Sequence, residues 1–404
     1  MKVIRLRAHV LLLGVLLTVA AVYAVVPRSS AAGAVPLTPA EGVVRADIQS
    51  LWEALDQAAA TGNSAALPPL FDLQSASGQA SLRHAEARLA FVQAWARARG
   101  IRWLPPRVTV RTPSIAFQGD SRVRVTAIIS ESWTYAYGPP GTPAPHLNTF
   151  GLGREHYMTL RMTPAGWRIA QDWFTDPLDQ DTRIPGPALP SAAPAPVIPS
   201  PPRPAAVLAA RGGYNRAGAV RYANTYCGAA PGCGNNGRYN TRLHDYNGEG
   251  ADCTNFVSQA LSLGGGLRRN ASWTYDGRTG EGTAAWVKAP ALLNYLLASG
   301  LGRVVARGPY ATVAASVGDL SPGDIIGYIE KGDVVHMALV VGFDSRGYTL
   351  VDSHTADRYR VPWDIGWDRA TQFVLVHVTD GARARPASVP GLFLGVGTGC
   401  GPAA

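Results

Sequence analysis

The period of the apolar positions changes repeatedly along the chain. In residues 40–62 the side chains Val44, Ile48, Leu51, Trp52 and Leu55 recur every three or four positions, the spacing of a helix with one buried face, and a second helix is predicted over 82–99. Then the period drops to two. Residues 107–117 and 121–137 alternate apolar with polar, and 156–162 with 166–174 predict a hairpin closed by the turn at 164–166. Helices followed by a curved antiparallel sheet predict an α+β unit over 40–180. Residues 184–206, IPGPALPSAAPAPVIPSPPRPAA, have no apolar face at any period. Their prolines favour an extended spacer, which marks a domain boundary. Helical spacing returns at 214–226, from Cys253 through Phe256, Val257, Ala260, Leu261 and Leu263 to a glycine stop at 264–266, and at 290–297. Strands rich in Val and Ile follow at 324–330, 333–343, 347–354 and 372–378, with turns at 331–332 and 345–347. A second α+β unit therefore spans 207–380, ahead of a Gly/Pro-rich tail at 381–404.

The first 32 residues change the picture of where this fold works. Lys2, Arg5 and Arg7 precede an uncharged apolar run at 10–26, followed by small residues at 29–32, the layout of an export signal. The run is long for a cleaved signal peptide and short for a spanning helix, so an uncleaved N-terminal anchor is the alternative. Membrane contact is expected only through 10–26. In both cases the body lies outside the cytoplasm, secreted or on the extracellular face of a bacterial wall. Losing Lys2, Arg5, Arg7 and Arg28 takes the formal net charge from +9 to +5. A basic surface concentrates a protein near anionic wall polymers or lipid headgroups, or serves solubility alone. No nucleic-acid motif is visible and no cofactor is called for. Metal-ligating residues are not grouped at useful spacing, so no metal is expected.

The four cysteines are Cys227, Cys233, Cys253 and Cys400. Cys227 and Cys233 lie in YCGAAPGCGNN, where glycines and a proline let the loop close on itself, and an oxidising compartment favours a disulfide between them. Cys400 sits in the tail with no partner indicated. Cys253 opens a helix, where unpaired backbone N–H groups and the helix dipole favour thiolate over thiol. The same residue also reads as a small buried hydrophobe. A thiolate nucleophile needs a base and a group that orients the base. On VVHMALVVGF, period two puts His336 on one face with Val334, Ala338 and Val340. On YTLVDSHT it puts Tyr348, Leu350, Asp352 and His354 together. Cys253, His336 and Asp352 thus form a candidate catalytic set, with His354 as a further candidate orienter. Taken singly, either histidine reads as a satisfied core residue. In the first unit Trp103, Trp133, Tyr135, Tyr137, Trp167 and Trp173 line a pocket or fill the core, and no catalytic set is found there.

The order of elements in the first unit resembles small cone-shaped domains of the cystatin and nuclear-transport-factor type. In the second unit DCTNFVSQAL with its following glycines, Tyr214 to Arg216, Tyr222 with Ala223, LSPGDIIGY and His336 resemble the bacterial "putative amidase domain" family over about 210–380. That family is similar to the papain-like NlpC and CHAP cell-wall amidases and peptidases. The resemblance implies a papain-like fold with Cys253 as nucleophile, His336 as general base and Asp352 as the third residue on the following strand, with His354 at a further polar position. Asp252 then caps the helix or orients substrate. Tyr214 and Asn255 line the cleft or give internal support. The implied activity is secreted, cysteine-dependent hydrolysis of amide bonds in cell-wall peptides or peptidoglycan through a thioester. A catalytically silent wall-binding module and an acyltransferase using the same thiol are the rival readings.

Overall fold

The computed structural model describes residues 38–139, 141, 143, 146–174, 213–247, 252–366 and 371–379. The apolar run at 10–26, the proline-rich stretch at 184–206 and the tail with Cys400 lie outside the described residues, as do the expectations attached to them. No helix among the described residues is long and apolar enough to cross a membrane.

Two helices open the described chain. At α1 (Pro39–Thr61) the Thr38 hydroxyl accepts from the Glu41 N–H at 3.3 Å, the Glu41 carboxylate accepts from the Thr38 N–H at 2.7 Å, and Gly62 ends the helix in the left-handed conformation. Ser75 caps α2 (Ala76–Arg99), which stops at Gly100. The stripe of Val44, Ile48, Leu51 and Trp52 packs on a meander of β1 (Ile101–Trp103), β2 (Arg107–Phe117), β3 (Arg122–Tyr137), β4 (Asn148–Thr163) and β5 (Gly166–Phe174). Val110, Val125, Ile129, Leu160 and Ile169 complete that core.

The second half begins with α3 (Arg216–Tyr226), and a disulfide joins Cys227 to Cys233 in the loop that follows. Next come α4 (Cys253–Gln259), which continues as a π turn over Ala260–Gly264, the small hairpin β6 (Tyr275–Asp276) and β7 (Glu281–Gly282), α5 (Ala284–Val287) and α6 (Ala289–Ala298). The remaining elements are β8 (Gly302–Pro309), α7 (Tyr310–Val313), β9 (Ile325–Glu330), β10 (Asp333–Phe343), β11 (Thr349–Ser353), β12 (Asp357–Pro362) and β13 (Gln372–Val378). Lys331 and Gly332 both take positive φ, 52° and 93°, which closes β9 and β10 into a tight hairpin. The class is α+β, with a large antiparallel sheet.

Two separate sheets were expected, and here the structure differs. One eleven-stranded sheet runs β1-β3-β4-β12-β11-β10-β9-β13-β8, with β2 also on β3 and β5 also on β4. β4 makes the join: its later part, from His156, pairs with β5, and its earlier part, Gly151 to Gly153, pairs with Tyr359 to Asp357 of β12. The reason lies in FGLG. A Cβ at Gly151 would stand 2.1 Å from the Pro231 carbonyl oxygen, and one at Gly153 2.8 Å from the Ala229 backbone, so glycine lets the disulfide loop rest on the strand.

The two faces of the second-half sheet meet different partners. Ile325, Met337, Leu339 and Val374 pack beneath Phe256, Val257, Leu292 and Leu296 from α4 and α6. On the other face Ile326, Tyr328, Ala338, Val340 and Phe373 share a core with Trp95, Trp133, Tyr135, Phe150 and Leu152 of the first half. Polar links cross the same boundary: Arg99 pairs with Asp364, Trp95 Nε1 donates to Asp364 at 3.0 Å, and Asp344 accepts from Tyr135 at 2.8 Å and Tyr137 at 2.5 Å.

Candidate active site

Cys253 opens α4 with its side chain buried, at 1% exposure. Its backbone N–H donates to the Thr355 hydroxyl at 3.2 Å, and the Asp252 N–H donates to the same oxygen at 2.8 Å. The sulfur lies 3.7 Å from the Thr254 hydroxyl, and the Met337 backbone N–H points at it from β10. Burial nevertheless pushes the thiol pKa up, more than these donors pull it down, and the Asp252 charge adds to the rise. The helix start was expected to favour thiolate. Desolvation outweighs it, and the resting group is the thiol.

Asp252 does not cap the helix with its side chain, because other donors hold the carboxylate. The Tyr246 N–H at 3.0 Å and the Asn255 amide at 2.7 Å both donate to Oδ1, while His354 Nδ1 stands 2.5 Å from Oδ2. The other ring nitrogen of His354 reaches the Tyr226 carbonyl at 2.7 Å. A carbonyl only accepts, so Nε2 carries a proton. With Nδ1 facing a carboxylate, the ring fits best as an imidazolium. Burial opposes that charge, but the hydrogen bond and charge of Asp252, with help from Asp357, push the His354 pKa up. Tyr239 and Phe256 sandwich the ring at centroid distances of 3.9 and 4.2 Å. Asp357 supports Tyr239, accepting from its hydroxyl at 2.5 Å and from the Ala229 N–H at 2.6 Å.

The strand positions differ from the period-two expectation. The ladder between β9 and β10 shifts by one residue between Val334 and His336. Val334 therefore packs with Met337 and Leu339 on the α4 side, while His336 pairs with Tyr328 and meets its ring at 5.3 Å, on the face shared by Ala338 and Val340. Asp352 sits opposite Leu339, a residue of the α4 side. Its Oδ1 accepts from the Arg360 N–H at 2.7 Å, and Oδ2 has no hydrogen-bond partner among the described residues. Asp352 thus stands across the sheet from the His336 ring that it was expected to orient. Burial pushes its pKa up to about 7, against the pull of Arg360 and His354.

Tyr214 and Asn255 are internal supports. The Tyr214 hydroxyl donates to the Gly323 carbonyl at 2.7 Å, and its ring fills the space beside Gly265. Asn255 is buried, donating to Asp252 and to the His244 carbonyl and accepting from Trp286 Nε1 at 2.8 Å. The structure thus gathers Cys253, Asp252, Asn255 and His354 at one helix start, with His336 one residue from the Met337 donor and its ring on the opposite face. Sequence reasoning missed Thr355, Tyr239 and Asp357. A hydroxyl directly after a buried histidine was the one visible signal for Thr355.

Residues 213–377 match the family model described as "Putative amidase domain". Over 185 residues the chain is 27% identical to the uncharacterized protein YhbB of Bacillus subtilis (strain 168), covering 41% of this chain and 51% of that protein. The chain thus spans about half the length of this curated relative. Among solved structures, it is similar to the intermembrane space region of the chloroplast protein ARC6, with TM-score 0.24 and 16% identity over 34% of this chain and 98% of the other.

Proposed function

We propose, with residues 213–377 as a domain of the amidase family, that this chain is a cysteine-dependent hydrolase of amide bonds in cell-wall peptides, exported by its N-terminal segment. The observation that carries the reading is Cys253: the free cysteine among the described residues opens a helix whose start is fixed by the buried Asp252–His354 pair. A structural cysteine has no need of that support. His336 is the proposed base, since both nitrogens of His354 already face acceptors. The His336 ring is buried against Tyr328 on the opposite sheet face, so this role requires the ring to leave that position in the working enzyme.

The chemistry is acyl transfer to water. His336 takes the thiol proton as sulfur attacks the carbonyl carbon, and the carbonyl oxygen, now negative, is held by backbone N–H groups at the helix start. Collapse expels the amine, which takes the proton back from His336. Water then cleaves the thioester, giving a carboxylic acid and the thiol. The papain-like geometry, the exported location and the wall substrate belong to this proposal together.

The test is release of fragments from purified peptidoglycan by the exported chain, read by mass spectrometry, beside Cys253→Ala. The expected result is new amine and carboxyl ends with the parent chain and none with the variant. Binding without cleavage by both would favour the silent wall-binding module, a reading that the raised thiol pKa supports.

A further inference from the structure

Thr355 holds a conformation that its own chemistry disfavours. Its φ is 78°, in the left-handed region, where a β-branched residue is strained and needs the surroundings to keep it. Its neighbours supply that hold. His354 is tied to Asp252 and Tyr226, Asp357 to Ala229 and Tyr239, and the Ser353 hydroxyl to the Ala356 carbonyl at 3.3 Å. Among buried, anchored neighbours Thr355 is itself half-buried.

The strained residue makes one conspicuous pair of contacts: its hydroxyl accepts the backbone N–H groups of both Asp252 and Cys253. These lie at the helix start that the proposed reaction assigns to the substrate oxygen. Cys253 is meanwhile 1% exposed. We infer that Thr355 is a gate on the nucleophile, a positioning residue whose hydroxyl occupies the place of the substrate's carbonyl oxygen in the resting protein and leaves as that oxygen arrives. Exchange of one oxygen acceptor for another conserves the hydrogen bonds at the helix start, and rotation of Thr355 out of the left-handed region relieves its strain. No covalent step is involved. The inference rests on the amidase reading for the identity of the incoming oxygen, and on geometry alone for the gate.

The test is the rate at which iodoacetamide alkylates Cys253 in the full chain, read on the Cys253 peptide by mass spectrometry so that Cys400 does not interfere. Thr355→Gly keeps the φ and removes the hydroxyl, while Thr355→Ser keeps the hydroxyl. Releasing two neutral hydrogen bonds should speed alkylation in Thr355→Gly by about tenfold, and Thr355→Ser should stay near the parent rate. Each rate is repeated at low urea concentrations, because reaction through global unfolding rises steeply with urea and gate opening does not. A Gly variant no faster than the parent, or faster only with a steep urea dependence, overturns the gate. Alkylation needs no turnover. A gate that opens as expected in a chain that cleaves no wall peptide would leave the gate standing and remove the amidase reading; cleavage with no alkylation effect would do the reverse.

Discussion

His354 shows how a titratable residue at a candidate catalytic centre can be structural. Both of its nitrogens face acceptors, so it has no lone pair to offer the Cys253 thiol and works instead as a charged strut between α3 and the start of α4. Its raised pKa means that its contribution to stability is complete below the ordinary value of 6.5 and is lost as pH climbs through the folded value. Asp352 and Asp357 act in the same direction. With folded values near 7 and 6 against 3.8, the folded chain keeps protons that the unfolded chain has released, and this advantage disappears as pH rises through those values. Asp56 adds to the trend, raised chiefly by burial and then by Glu131, whereas Glu131, itself lowered, changes stability only below its ordinary value of 4.5. The melting temperature should therefore fall between pH 5 and pH 8. Asp352→Asn should flatten the part of that fall below pH 7. A melting temperature that rises steadily over the same interval would show that these groups are not buried as described.

At the scale of elements, the prediction concerns the glycines under the disulfide loop. Gly151→Ala would push a methyl group into the Pro231 carbonyl, and neither the strand nor the loop can yield without disturbing the β4 to β12 ladder. Overpacking of this kind costs roughly 1–3 kcal/mol. Urea denaturation should register the loss, while Gly166→Ala, where the nearest atom is the far end of Arg168, should show only the strain of its φ of 96°. Equal effects at the two sites would count against the close approach. The same elements show what the sequence made legible. The apolar stripe of α1 and the Val/Ile runs of β9, β10 and β13 declare their period directly, and the candidate nucleophile stands out at the start of its helix. Period two kept His336 with Ala338 and Val340 as read, and only Val334 left that face, because one extra residue at Val335 breaks the count ahead of His336. β12 was missed because DRYRVP is charged and contains Arg360 at positive φ, and β8 because GRVVARGP shows no strand alternation and buries no residue fully. Thr355 and Asp357 act through contacts more than a hundred positions away, which no local pattern records.

For the whole molecule the question is whether the two halves are independent, as the proline-rich stretch between them suggests. Composition describes that stretch, but it does not say what happens to the faces on either side. The face of the second half that carries Ile326, Tyr328, Ala338 and Val340 is covered jointly with Trp95, Trp133 and Tyr135, and β12 finds its outer neighbour in β4. Cutting the chain within 184–206 should therefore leave two pieces that elute as one species on gel filtration, and residues 207–380 expressed alone should be insoluble or aggregate through the uncovered face. Arg99 offers a sharper probe of the same boundary. It is 8% exposed at the side chain, pairs with the fully buried Asp364, donates to the Tyr348 hydroxyl at 2.7 Å and stacks on Trp95 at 4.4 Å. Removing one partner of a buried pair strands the other charge, at a cost of about 3–5 kcal/mol. Arg99→Leu should thus lower the stability of the second half as well as the first, in a single cooperative transition, whereas Arg99→Leu with Asp364→Asn should recover part of the loss. Two separate transitions, with only the first moved by Arg99→Leu, would mean that the halves fold independently and that the shared sheet is not their common core.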